Sequence, residues 1–218
     1  MIYNAKISNG NRQDIINYIR MKKSQGSFRV IDVGGSYIGW SFPIVDAIID
    51  FNDVTGPNSE HITHFKCDIT QPKEWDKILN YIADNGRYDF CICSHTLEDI
   101  INPVFVCEQI AKIADAGYIA VPSKYRELSR FEGLYRGYIH HRWIFCIKNN
   151  VVIGFPKIGY IEQCSDFDSI SDMNIDKCDL SFYWKDSIEI RYLNNNYLGP
   201  DVTSVIQYYT NLCRYDYL

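Results

Sequence analysis

A carboxylate and two glycines stand together where a short apolar run ends, and they are the most informative chemical groups in the sequence. Asp32 lies within residues 30–33, and Gly34, Gly35 and Ser36 follow directly. Glycines in such a turn accept positive φ angles and let a ligand approach the backbone. The carboxylate would repel a pyrophosphate but attract an ammonium group, directly or through water. The pattern therefore predicts a small-molecule site that favours an amine-bearing ligand over a dinucleotide.

Acidic residues also end the next two apolar runs. Asp50 lies near the end of residues 45–51, with Asp53 close behind it, and Asp68 follows residues 62–67. Taken alone, Asp68 is typical of a cap at a strand end. If the runs are parallel strands, their carboxyl ends meet at one edge of a sheet, where ligands bind in such folds. We therefore expect these carboxylates to lie close to the glycine turn.

Three histidines are the candidate proton acceptors, because imidazole titrates near neutral pH. They are His95, His140 and His141, with Glu127 and Glu132 as secondary candidates. We favour His141, because it lies next to a predicted strand and is therefore better fixed in position. A structural or surface role for the adjacent pair is equally open. No metal site is expected, because adjacent histidines point apart in a strand and no spaced carboxylate or cysteine completes a zinc set.

The composition excludes several classes of protein. The formal net charge is -5, so no overall field gathers nucleic acid. The chain has no CxxC pair among its eight cysteines and no apolar stretch that could span a membrane, and we expect a cytoplasmic protein with reduced thiols. A basic cluster could bind a phosphate or a glycan carboxylate, or be a solvated loop; it consists of Lys124, Arg126, Arg130, Arg136 and Arg142.

Apolar runs alternate with segments of helical periodicity over the first 122 residues. The predicted strands are residues 28–33, 45–51, 62–67, 88–94 and 117–121, and the predicted helices are residues 11–23, 72–85 and 102–114. This alternation predicts an α/β fold with a doubly wound, mostly parallel sheet. Only residues 36–44 join the first two strands, and Pro43 interrupts them. The crossover helix there must therefore be short or replaced by a loop.

The rhythm changes after Pro122. Residues 123–142 are polar, basic and aromatic without a clear period, so we expect a mobile cover rather than core. The remaining segments predict two β-hairpins, at residues 143–147 with 151–155 and at residues 180–184 with 187–193, and a last short helix at residues 203–213.

In their order, these segments resemble the class I (Rossmann-like) methyltransferases that depend on S-adenosylmethionine (SAM). VIDVGG, residues 30–35, is similar to the first motif of that family. YDFCICSHTLE, residues 88–98, is similar to its fourth-strand motif, and GYIAVP, residues 117–122, to its fifth strand. The resemblance covers residues 28 to 122 and includes branches whose first helix is shortened.

The resemblance implies SAM as the cofactor and S-adenosylhomocysteine (SAH) as the product. Asp50, or Asp53 in its place, would bind the ribose hydroxyls, and Asp68 the exocyclic amine of adenine. The implied cofactor-binding residues are Asp32, Gly34, Gly35, Ser36, Asp50, Asp68, Ile69 and Ser94. The chain departs from the family pattern at Ser36, which leaves the glycine turn incomplete, and at Asp99, where many relatives have histidine.

The implied organisation is a single domain of 218 residues. It would consist of an N-terminal helix (1–26), a cofactor-binding core (28–122) and an acceptor cover with C-terminal hairpins (123–218). An HRW-containing stretch like residues 141–143 occurs here in some small-molecule and sugar methyltransferases, so we expect O-methylation of a small polar or glycan acceptor. The alternatives are an inactive binding module of the same fold and a nicotinamide-dependent oxidoreductase. The sequence does not indicate an oligomeric state.

Overall fold

The computed structural model describes residues 1–53, 56–57, 59–131, 133–170, 175–193, 203, 207, 210 and 211. The helices and strands are β1 (Ile2–Ser8), α1 (Arg12–Gln25), β2 (Val30–Val33), β3 (Ala47–Asp50), β4 (Thr63–Lys66), α2 (Asp76–Asn85), β5 (Tyr88–Ser94), α3 (Pro103–Ile113), β6 (Ala114–Pro122), α4 (Lys124–Leu128), β7 (Trp143–Lys148), β8 (Val151–Pro156), β9 (Asp179–Lys185) and β10 (Ile190–Tyr192). Glu132 and most of the helix predicted over 203–213 lie outside the described residues.

The main sheet has seven strands in the order β1-β9-β6-β5-β2-β3-β4. Strands β4, β3, β2, β5 and β6 are parallel to one another, and β9 is antiparallel to both β6 and β1. From β2 the chain runs outward through β3 and β4, and it then returns to β5 on the other side of β2. The predicted doubly wound, mostly parallel sheet is confirmed.

Helices cover both faces of this sheet. Neighbouring strand residues point to opposite sides, and because both sets are apolar, both faces must be buried. On one face, Ile15 and Ile19 of α1 are buried in the same apolar cluster as Val30 and Ile48. On the other face, α2 and α3 bury a larger cluster that includes Ile31, Val33 and Ile49. Successive side chains of β2 pack into different clusters, Val30 into the first and Ile31 into the second. The strand is therefore buried between the two helical layers.

A loop replaces the first crossover helix, as the short link between β2 and β3 predicted. Residues 34–41 form turns, and a single 3-10 turn at Phe42–Ile44 leads into β3. Because no α-helix begins after the glycine turn, the carboxyl end of β2 has no helix amino terminus pointing at it. Later helices begin as predicted, and the side chain of Asn102 caps α3 by accepting a hydrogen bond from the Phe105 amide.

The structure differs from the sequence predictions at both ends of the chain. The first residues form the edge strand β1, which we did not predict because its side chains are mostly exposed or half-buried. The first C-terminal hairpin, β7 with β8, is confirmed. The second hairpin is wrong: β9 inserts into the main sheet, whereas β10 pairs with β8 in a separate three-stranded sheet. Asp186, with a φ of 63°, turns the chain away after β9.

The segment from 123 to 142 is packed more tightly than its composition suggested. Lys124, Glu127 and Arg136 are each no more than 1% exposed, and Leu128 joins an apolar cluster with the small sheet. Buried charges of the segment form ion pairs within the protein. Through Leu128 the segment also contributes to a second apolar core. Within the described part of the chain, no helix is long and apolar enough to cross a membrane.

Candidate functional site

The switch in chain direction at β2 and β5 creates a crevice at the carboxyl ends of these strands. Gly34 leaves β2 with a φ of 83° and donates its amide to the Ile49 carbonyl at 2.8 Å. A Cβ atom at Gly34 would lie 2.2 Å from Oγ1 of Thr96, in the turn after β5. The two strand ends are therefore in close contact, and only glycine fits at this position. Such a switch point is where open α/β sheets bind ligands.

A cavity of about 240 Å³ opens beside this contact. Its lining contains four of the residues predicted to bind a cofactor, namely Gly34, Asp50, Asp68 and Ile69. The lining residues that the sequence predictions missed are Ile49, Phe51, Cys67, Thr70, Thr96 and Ile100. Thr96 could have been found, since it lies within the fourth-strand motif. The cavity combines two carboxylates with apolar walls, a composition typical of small-molecule sites.

Asp50 and Asp53 occupy different surroundings. Asp50 lines this cavity, and its Oδ1 accepts the Asn52 amide at 2.7 Å, which leaves other lone pairs of the carboxylate available. Asp53 lies in a neighbouring cavity of about 510 Å³ and forms an exposed ion pair of 2.7 Å with Lys66. That hydrogen bond lowers the pKa of Asp53. Of the two, only Asp50 shares a cavity with the glycine turn.

Asp68 is both a cap and a wall of the cavity. Its Oδ1 accepts hydrogen bonds from the Thr70 amide at 3.0 Å and the Thr70 hydroxyl at 2.7 Å. The next residue, Ile69, is held by its carbonyl, which accepts the indole N–H of Trp75 at 2.9 Å. These bonds fix the segment after β4, so an apolar side chain and a carboxylate face the cavity from one rigid turn.

Asp32 lies behind the glycine turn and is not among the residues that line the cavity. It is 4% exposed and accepts a hydrogen bond from the Ser41 hydroxyl. Burial raises the pKa of Asp32 to about 7, against the opposing effect of the Ser41 hydrogen bond. A Cβ atom at Gly35 would lie 2.5 Å from the Asp32 carboxyl. In this conformation Asp32 and Ser41 support the turn from within.

The remaining predicted cofactor residues lie around the crevice. Gly35 is buried against Asp32, Ser36 is exposed in the turn, and Ser94 is half-buried at the end of β5. None of these three is among the residues that line the 240 Å³ cavity. The structure therefore brings four of the eight predicted residues together in the lining of this cavity and leaves the other four outside it.

A second and larger pocket, of about 660 Å³, also borders the turn after β5. His95 lines it, while its neighbour Thr96 lines the first cavity. The other lining residues are Asn9, Gly10, Asn11, Arg12, Gln13, Asp14, Pro122, Arg126, Tyr138, Cys178 and Asp179. The sequence predictions missed the part contributed by residues 9–14, which form a polar turn and the first residues of α1.

His95 is held in an unusual conformation between two carboxylates. Its φ is 54°, a left-handed value that non-glycine residues rarely adopt. Its Nδ1 lies 3.4 Å from Glu98 and its Nε2 3.5 Å from Asp179. Burial alone would lower the pKa of His95, but Asp179 and Glu98 outweigh it and raise the pKa to about 9. The imidazole is therefore protonated at neutral pH and must lose a proton before it can accept one.

His140 and His141 lie in a turn before β7, so the expectation that a strand directs them apart is wrong. His141 is 8% exposed, and its Nδ1 lies 2.6 Å from Oε1 of the fully buried Glu127. Its Nε2 faces Asp99 at 3.6 Å. Neither histidine is among the residues lining the two cavities. Glu127, a secondary candidate base, is instead a partner of His141 and of Lys157.

The basic cluster is mostly structural. The guanidinium of Arg136 is fully buried and donates to backbone carbonyls and to the Asp168 carboxylate, with partners Leu128, Ile161, Cys164 and Asp168. Arg130 pairs with Glu162 at 3.5 Å. Arg126 alone of the five lines the larger pocket, where its guanidinium lies 3.3 Å from the ring centre of Phe131.

Comparison with known proteins returned distant structural matches. No protein-family model matches the sequence, and no curated protein matches it either. A plantazolicin methyltransferase, BpumL, solved with SAH, is 16% identical with a TM-score of 0.37 over 52% of this chain and 46% of its own. The N-terminal domain of EvdMO1 with SAH bound is 11% identical with a TM-score of 0.42 over 79% of this chain and 81% of that chain.

A SAM-dependent methyltransferase from Mesorhizobium loti is 12% identical with a TM-score of 0.38, over 67% of this chain and 64% of that one. The aligned part of the chain thus spans about half of BpumL, at 46%. Overlaps this weak carry no argument about activity, and the fold rests on the strand order itself. By that order and its switch point, the chain has a Rossmann-like, doubly wound α/β fold.

Proposed function

We propose that the chain binds SAM at the β2 switch point and transfers its methyl group to an oxygen of a small polar or glycan acceptor. The observation that carries the proposal is the cavity in which Gly34, Asp50 and Asp68 meet. These residues come from three separate strand ends, and each stands where the sequence resemblance expects a contact with the cofactor.

The residues of this cavity fit an adenosine group. The Asp50 carboxylate suits the paired hydroxyls of a ribose, because an ionised carboxylate accepts two hydrogen bonds. Asp68 suits an exocyclic amine, while Ile69 and Ile100 supply apolar surface for a flat base. Asp32 would then act on the methionine end only through the turn that it supports. We propose the same supporting role for Gly35, Ser36 and Ser94.

The larger pocket is the proposed acceptor site, because it is lined by His95, whose neighbour Thr96 lines the cofactor cavity. Its lining is polar and carries both signs of charge, including Arg126 and Asp179. Such a lining can orient several hydroxyl groups of a sugar-like acceptor by hydrogen bonds. Methyl transfer from a sulfonium depends mainly on this alignment of acceptor and donor.

A hydroxyl acceptor must also lose its proton, and His95 is the proposed base. Of the three candidate histidines, it alone lines the acceptor pocket. The acceptor oxygen would form its bond to the methyl carbon while the carbon–sulfur bond breaks towards sulfur and the hydroxyl proton passes to the imidazole. Because Asp179 and Glu98 hold the pKa of His95 at about 9, the neutral, competent form becomes abundant only in alkaline solution.

Calorimetric titration of the full chain with SAH and, separately, with NADH tests the cofactor proposal. We expect SAH to bind and NADH to give no heat. A nicotinamide cofactor is disfavoured because no α-helix begins at the glycine turn to receive a pyrophosphate. Binding of NADH without SAH would contradict the proposal and favour the oxidoreductase.

A second candidate is a binding module of the same fold that holds SAM without turnover. One observation favours it: His95, the proposed base, is protonated at neutral pH and cannot accept a proton in that form. Turnover of SAM over a panel of sugars and small polar alcohols at pH 7 and pH 9 separates the two. Methylation that increases at pH 9 supports the enzyme, and SAH binding without turnover at either pH supports the module.

A further inference from the structure

Three side chains with metal-binding atoms converge outside both cavities. Asp99 comes from the loop after β5, and His140 and His141 come from the turn before β7. One possible ligand atom of each lies within 4.8 Å of the others. The Asp99 Oδ1 is 3.6 Å from Nε2 of His141 and 3.8 Å from Nε2 of His140.

These separations are too long for hydrogen bonds, which have donor–acceptor distances of about 2.7–3.2 Å. They are close to the spacing that a shared ion requires. Two ligands at about 2.1 Å from a tetrahedral metal lie about 3.4 Å apart. The side chains of Asp99 and His140 are 44% and 63% exposed, so small rotations can close the remaining gap. His141 is buried and provides the fixed member of the set.

The surroundings of His141 orient it as a metal ligand. The Glu127 carboxylate can only accept a hydrogen bond, so Nδ1 of His141 donates to it at 2.6 Å and Nε2 is directed at Asp99 and His140. The other Glu127 oxygen accepts from Lys157 at 2.8 Å. A Cβ atom at Gly137, whose φ is 57°, would lie 2.5 Å from that oxygen. A buried carboxylate behind a histidine is the usual support of a metal-bound imidazole.

We propose that Asp99, His140 and His141 bind one divalent transition-metal ion. Two imidazole nitrogens with one carboxylate favour zinc, iron or nickel over magnesium and calcium, which prefer oxygen ligands. The Glu127–Lys157 pair is neutral overall, so the set itself supplies one negative charge. Three protein ligands leave at least one coordination position for water. The proposal does not depend on methyl transfer.

An ion at this site would join the loop after β5 to the turn before β7. Tyr138 packs its ring 4.6 Å from that of His141 and also lines the larger pocket. Metal binding would therefore restrict the movement of Tyr138, a lining residue of that pocket, relative to the loop after β5.

The test is zinc binding by the full chain without a polyhistidine tag, after treatment with a chelator and dialysis. We expect one Zn²⁺ per chain in competition with a chromophoric chelator, and no competition from Mg²⁺. His140→Ala and Asp99→Asn change exposed side chains and should each weaken Zn²⁺ binding by about tenfold or more. The matched control is His61→Ala, an exposed histidine elsewhere, which should bind Zn²⁺ like the wild type.

Thermal unfolding gives an independent readout. Zn²⁺ should raise the Tm of the wild type and of His61→Ala, because an ion bound only by the folded state stabilises it. At the same Zn²⁺ concentration it should raise the Tm of His140→Ala less. The positioning role of Glu127 predicts weaker Zn²⁺ binding in Glu127→Gln by about tenfold. Failure of the wild type to bind Zn²⁺, or equal affinity in His140→Ala, Asp99→Asn and the wild type, would overturn the proposal.

Discussion

The two sides of the switch point are built in different ways. On the side of β2 to β4, Gly34, Asp50 and Asp68 reach the cavity directly from strand ends, and each is held by bonds to its own turn or neighbouring strand. On the side of β6 and α4, His95 and His141 are held by carboxylates from distant segments, such as Asp179 and Glu127.

The difference indicates how each side can be disturbed. The β2–β4 side, which we propose as the cofactor side, depends on backbone geometry, so one added methyl group can block it at any pH. The β6–α4 side, which we propose as the acceptor side, depends on charged pairs in half-buried and buried positions. Its stability should therefore change with pH. Substitutions on each side, with matched controls, can sharpen or break this distinction.

The largest effect is expected for Gly34→Ala. The variant combines a φ of 83° with a Cβ atom 2.2 Å from Thr96, so it should lower the free energy of unfolding by about 3 kcal/mol and weaken SAH binding by at least about tenfold. Gly133→Ala is the control, because Gly133 also has a positive φ, of 108°, but no atom of the described residues lies within 4 Å of its Cβ position. It should cost about 1 kcal/mol and leave SAH affinity unchanged.

Urea unfolding and calorimetry measure the two effects of these glycine substitutions. Equal losses in both variants would mean that backbone strain alone matters, and that the close approach of β2 and β5 does not shape the cavity.

A smaller effect is expected for Asp50→Ala. Loss of a carboxylate that binds hydroxyl groups should weaken SAH binding by about 1–3 kcal/mol. Asp53→Ala removes an exposed ion pair with Lys66, and such pairs contribute little, so its SAH affinity should match that of the wild type. Calorimetry on the two variants decides between these residues. A loss of SAH affinity confined to Asp53→Ala would show that Asp53, and not Asp50, binds the ribose.

The last effect concerns pH and the pairing of His95 with its two carboxylates. The pKa of His95 in the folded state is about 9, above its ordinary value of 6.5. Its pairing with Asp179 and Glu98 therefore stabilises the fold fully below pH 6.5, and this stability is lost as the pH rises through 9. The difference in unfolding free energy between the wild type and His95→Gln should shrink over that range. A difference in unfolding free energy that stays constant from pH 6.5 to 9.5 would show that the carboxylate partners of His95 do not stabilise its protonated form.

The sequence predicted the strands and turns on the β2–β4 side well, because their signals are local. The strand β5 has the predicted bounds, and the short link after Gly34 correctly indicated a loop in place of a helix. The gathering of Gly34, Asp50 and Asp68 follows from the rule that parallel strands end at one edge.

The acceptor side could not be predicted, because its contacts join segments far apart in the chain. Nothing in the alternating pattern of β9 distinguishes a hairpin strand from one inserted between β6 and β1. The pairing of His141 with Glu127 depends on the turn before β7, which the sequence presented as the start of a strand. Burial of Arg136 depends on four acceptor groups that only the folded chain assembles.

The central claim is that SAH occupies the cavity at the β2 switch point. Its most direct test is a crystal structure of the full chain grown with SAH. We expect the ribose hydroxyls on the Asp50 carboxylate, the adenine between Ile69 and Ile100, and the sulfur beside the Gly34 turn. SAH in any other place, or a ribose bound by Asp53 with the Gly34 cavity empty, would contradict the account.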